Sequence, residues 1–117
     1  MKKLSEFSNK EVKNLIVSLN AELKILSEDN EIKAILKEFA TTRKREQEKN
    51  RMIFEIIPDI INILLVTNET SLWRILSAIT QMSEDEVQEL NNVKTIEVLV
   101  DFFSIKQYRE LFSLAIK

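Results

Sequence analysis

The chain contains no glycine, and that absence constrains its fold more than any other feature of its 117 residues. Glycine supplies positive φ and close backbone approach. Without it, the tight hairpin turns of sheets and the phosphate-cradling loops of nucleotide-binding folds lose the residue they depend on. Average usage would put about eight glycines in a chain of this length. Histidine and cysteine are absent as well. Their loss removes Ser-His-Asp and Cys-His constellations, zinc sites of ordinary ligand type and disulfides. What remains open is a set of helices joined by short polar turns.

The helix signals agree. Ser8 and Glu11 make an S-x-x-E capping box, stapled by Phe7 and Val12. Val12, Leu15, Ile16, Leu19, Leu23 and Leu26 then recur at spacings of three and four, one apolar stripe. Ser27-Glu28-Asp29-Asn30 interrupts it and offers a new N-cap, after which Ile32, Ile35, Leu36 and Phe39 form the next stripe. Further on, Leu72, Ile75, Leu76 and Ile79 share a face, and Trp73 lies about 110° from the centre of that face. A second box, Ser83 with Glu86, opens a short acidic helix, and Asn91-Asn92 restarts the chain. The following helix carries Val93, Ile96, Leu99, Val100 and Phe103 on one side, with Val98 and Phe102 as a second strip. A third box pairs Ser104 with Gln107 and opens a last helix bearing Ile105, Tyr108, Leu111, Phe112, Ala115 and Ile116. β-Branched residues fall at helical rather than alternating spacing. The expectation is an all-α fold, a single compact domain over residues 1–117 with six or seven short helices.

Two segments stand apart. Residues 42–51 carry no apolar side chain, and the positions that would continue the stripe, Arg43, Glu46 and Asn50, are polar. This is expected to be an exposed polar helix or a mobile arm. The segment from Met52 to Val66 is the reverse. Pro58 predicts a kink or restart there. From Ile60 to Val66 apolar residues point in nearly every direction except that of Asn62, so the helix is expected to be central or covered by another subunit.

Composition narrows the function classes. Net charge is -2, giving no basic field for nucleic acid or anionic membrane. The amino terminus has two lysines with no apolar stretch behind them, which does not read as a signal peptide, and no segment is long and apolar enough to span a bilayer. A cytoplasmic, non-secreted protein without membrane or nucleic-acid partner is expected. Glu84, Asp85, Glu86 and Glu89 cluster, but first-turn capping and dipole effects account for them, and no catalytic residue, cofactor or metal is expected. The basic run Arg43, Lys44, Arg45, Lys49 and Arg51 leaves a small helical DNA-binding regulator as the alternative, although Glu46 and Glu48 interrupt it and no aromatic is interleaved.

From about Trp73 onward the chain resembles the tail assembly chaperones, or tape measure protein chaperones, of long-tailed bacteriophages of Gram-positive hosts. The similar features are an order of elements. An apolar helix leads to the box Ser83 to Val87, then a short helix closes at Leu90. A helix with paired Phe102 and Phe103 follows, and then an amphipathic Leu- and Phe-bearing helix. The resemblance implies a non-enzymatic helical protein of the host cytoplasm that coats the tape measure protein until tail tube subunits replace it, and that is absent from the mature virion. It further implies self-association into a ring or spiral.

Apolar residues in excess of one core stripe per helix mark the expected contact surface. Ile53, Ile56, Ile57 and Ile60, together with Trp73 and Phe102, are the residues expected to touch another subunit or the client.

Overall fold

A computed structural model describes residues 2–41 and 46–105, with the side chains at 36, 39–41, 46, 47, 49 and 50 outside the description. A 3-10 turn at Leu4–Glu6 leads into α1 (Asn9–Leu26), α2 (Asn30–Thr41), α3 (Glu46–Thr67), α4 (Glu69–Thr80), α5 (Glu84–Gln88) and α6 (Asn92–Phe103). No strand is present among the described residues, so the fold is all-α.

Side-chain caps start the helices where the sequence places them. Ser8 Oγ accepts from the Glu11 N–H at 3.2 Å, and the Glu11 carboxylate accepts from the Ser8 N–H at 3.2 Å. Ser83 and Glu86 repeat this reciprocal pair at 3.1 and 3.2 Å. Asp29 takes the Glu31 and Ile32 N–H groups at the head of α2. Asn68 and Asn91 cap α4 and α6 through the N–H groups of Ser71 and Lys94. Each cap satisfies a donor that the first turn would otherwise leave orphaned. The helix ends show how the chain does without glycine. Ser27, Glu89 and Ser104 close α1, α5 and α6 in right-handed geometry. Only Gln81, after α4, enters the left-handed region among the described residues, at φ 62°.

α4 is the centre of the molecule. It packs against α1, α3, α5 and α6, while α2 lies on α3 and α6 bridges α3 and α4. Leu72, Ile75, Leu76 and Ile79 of α4 meet Leu15, Leu19, Leu23 and Leu26 of α1, Ile32 of α2, Ile53, Ile57, Ile60, Ile61 and Leu64 of α3, Val87 of α5 and Val98 to Val100, Phe102 and Phe103 of α6 in one core. The radius of gyration, 13.4 Å, is that of a single domain of this length.

Several expectations change. The apolar helix of the middle of the chain is not the central one: in α3, Leu65 and Val66 are exposed, because α2, α4 and α6 do not enclose its whole circumference. α3 also continues through Pro58 without restarting, although proline removes a hydrogen bond to Phe54 and crowds its carbonyl. Ile57, Ile60, Ile61 and Leu64, all buried around the proline, supply the packing that overrides the local preference. Val93, expected on the core stripe of α6, is exposed in its first turn. Residues 46–51 belong to α3, with Glu48 and Arg51 exposed. Residues 42–45, the side chains of Leu36 and Phe39, and the expected last helix with Gln107 lie outside the described residues.

Candidate functional site

The acidic cluster is a capping device. Glu84, Asp85, Glu86 and Glu89 are all exposed. The Glu86 carboxyl is held below its ordinary value by accepting the Ser83 N–H and hydroxyl hydrogen bonds. Glu11 is lowered in the same way, first by the Lys2 ammonium at 2.7 Å and then by the Ser8 N–H. Among the described residues no group of three or more acidic, Cys or His side chains is arranged to hold a metal. No described helix is long and apolar enough to cross a membrane.

The six residues expected at a contact surface do not assemble into one. Ile53, Ile57, Ile60 and Phe102 lie in the core, at 0%, 1%, 8% and 0% exposure. Ile56 and Trp73 are half-buried on different helices. For Phe102 the cause is that α6 packs on both α3 and α4, so the ring has helices of the same chain around it. Phe102 packs edge-on against Phe103, ring centres 5.3 Å apart at 78°. Trp73 turns its indole N–H to Glu69 Oε1 at 3.0 Å, so the ring is held along α4 by a partner one turn earlier.

The uncovered apolar surface lies elsewhere on α3. Phe54 is 62% exposed and Leu65 43%, with half-buried Pro58 between them. At 100° per residue these three fall within about 40° of one another, and Ile61, on the same bearing, is buried, so Phe54 and Leu65 are exposed at two points about 17 Å apart on one flank of the helix. Val66, 86% exposed, stands on the neighbouring flank. Val17 and Val93 are also exposed, but singly, which is ordinary. The sequence carried the signal for this strip, since an all-apolar helix must be covered by something. It missed Phe54 because attention to the isoleucines placed the contact on the side that α3 turns inward.

A second feature went unread. Glu22 sits at the middle of the α1 stripe, between Leu19, Leu23 and Leu26, and its side chain is only 9% exposed. Arg74 of α4 approaches its Oε1 at 3.6 Å. The other oxygen, Oε2, is buried and accepts no hydrogen bond. The chain matches no family model, no characterised protein and no solved structure.

Proposed function

We propose that this protein is a non-enzymatic tail assembly chaperone that binds and solubilises the tape measure protein of a long-tailed phage in the host cytoplasm, self-associates along it, and is absent from the mature virion. The observation that supports this reading is the uncovered strip of α3. Phe54 and Leu65 are exposed apolar side chains on one flank of α3, with half-buried Pro58 between them. An amphipathic client helix presenting residues at three- and four-residue spacing is the natural complement of such a flank. A strip this narrow binds modestly, which suits a chaperone that must yield to tail tube subunits. The resemblance of the carboxyl half supplies the identity of the client.

The test pairs two charges on the strip, Phe54→Glu with Leu65→Glu. The double variant keeps the melting profile of the parent but no longer holds a co-expressed, aggregation-prone tape measure fragment in solution, and its scattering mass falls towards one chain. Undiminished client solubilisation by the variant overturns the assignment of the strip. Duplex DNA binding that weakens steeply with salt, with no effect on the client, overturns the chaperone reading in favour of a helical regulator.

A further inference from the structure

Glu22 and Arg74 form a loose pair where a tight one would be expected. At 3.6 Å the guanidinium is beyond hydrogen-bonding distance of Oε1, and Arg74 is itself 52% exposed. A carboxylate nine-tenths buried, with Oε2 lacking any donor, is left with most of its desolvation uncompensated. The pair borders a surface depression of about 410 Å³ between α1 and α4. Glu84 and Ser77 line the same depression, and Ala21 and Ala78 keep its walls low. The Ser77 hydroxyl donates to the Met82 carbonyl at 2.6 Å, so its oxygen lone pairs remain to accept. Two carboxylates face one guanidinium there, a surplus of one negative charge.

We propose that this depression is a binding site for a primary ammonium group, of the class carried by a lysine side chain of a partner protein. The ammonium displaces Arg74 from Glu22. Four side chains with acceptor oxygens line the site (Ser18, Glu22, Ser77 and Glu84), enough for the three donors of an ammonium. With the second oxygen of Glu22 buried, a guanidinium loses the bidentate geometry that favours it, whereas a compact ammonium gives up nothing by meeting one oxygen. The alanines give the methylenes of a lysine an apolar wall to lie along. Arg74 stands at Oε1 while Oε2 is buried, so the ammonium takes the guanidinium's place at Oε1 as the arginine swings out, a rotamer change open to a half-exposed side chain. This inference stands apart from the chaperone reading and uses none of the α3 strip.

The experiment titrates the 15N-labelled full chain with Nα-acetyl-lysine methylamide. Its Nε-acetylated form serves as the uncharged control and the arginine analogue as the competing fork. The expected result is saturable shifts at Ala21, Glu22, Ser77 and Ala78, with a dissociation constant of roughly millimolar and about tenfold weaker binding of the uncharged control. Glu22→Gln abolishes the shifts, and Arg74→Ala tightens binding several-fold by removing the competing cation. Equal shifts from the charged and acetylated lysines, or stronger binding of the arginine analogue, overturn the proposal. So do unchanged shifts in Glu22→Gln. If that variant fails to fold, the charged and acetylated lysines on the parent protein decide the question alone. No shift from the charged lysine likewise overturns it, and leaves Glu22 as a buried half of a weak internal pair.

Discussion

Replacing Phe102 by alanine tests the core assignment at its most exacting point. The ring is wholly buried and meets Phe103 edge-to-face at 5.3 Å. Truncating such a phenylalanine removes the transfer free energy of the ring and leaves a cavity, together about 3–5 kcal/mol. The lost edge-to-face contact accounts for about 1 kcal/mol of that. α6 lies against both α3 and α4, which restrains any collapse into the gap, so the lower end of the range does not apply. We expect a loss of about 4 kcal/mol, a large share of the roughly 5–15 kcal/mol that holds a domain of this kind together. At about 4 °C per kcal/mol for a chain of this length, the melting midpoint falls by roughly 16 °C. Far-UV ellipticity against temperature and against urea reads the change, and an unaltered urea slope shows that the same surface unfolds. Phe54→Ala is the matched control: the ring is 62% exposed, and its loss should move stability by no more than about 0.5 kcal/mol. A Phe102→Ala loss below about 1 kcal/mol, or an equal loss from Phe54→Ala, refutes the assignment of Phe102 to the core and Phe54 to the surface.

Gln81→Gly relieves a left-handed residue at φ 62° that carries a Cβ, and should stabilise the domain by up to about 1 kcal/mol in a urea titration; a destabilised variant would show that the Gln81 side chain, which donates to the Ala78 carbonyl at 3.1 Å, outweighs the backbone gain. Glu11 and Glu86 have folded-state pKa values lowered from 4.5, so their contribution is fully present above the unfolded value and is lost as pH falls through the lower folded one. Unfolding titrations repeated below pH 4.5 should therefore show a shallower loss of stability in Glu11→Gln with Glu86→Gln than in the parent, and an identical slope would remove the caps as acid-sensitive contacts.

What was legible in the sequence was local. Capping boxes at Ser8 and Ser83, the restart at Asn91-Asn92 and the α1 stripe all depend on residues within four positions of one another, and each stands where its spacing puts it. What was not legible was which helix lies in the middle. α3 and α4 both carry continuous apolar faces, and only the packing of α1 and α5 onto α4 makes that helix central. The same long-range fact decides the contact surface. Ile53 and Phe54 are neighbours in sequence and equally apolar, yet one is at 0% exposure and the other at 62%. Glu22 was hidden for the opposite reason, because a single acid in an apolar stripe is easily passed over as an interruption.

The bare strip of α3 is not explained by folding. A polar residue at Phe54 or Leu65 would leave the core of Ile53, Ile57, Ile60, Ile61 and Leu64 untouched, and surface substitutions of that kind move stability by about 0.5 kcal/mol or less. Helix propensity does not ask for the aromatic either, since phenylalanine is a poorer helix former than glutamate or lysine. Neither the fold nor the helix therefore requires apolar side chains there, and an exposed aromatic carries an association hazard that a charge would avoid. Such residues are available for the contact proposed for them above. That contact also joins the two halves of the sequence. A glycine-free chain closes its described turns with side-chain caps and a single left-handed residue, and the connection from α3 to α4 is the one capping residue Asn68. A helix presented in that way offers its edge with little conformational entropy left to lose on binding.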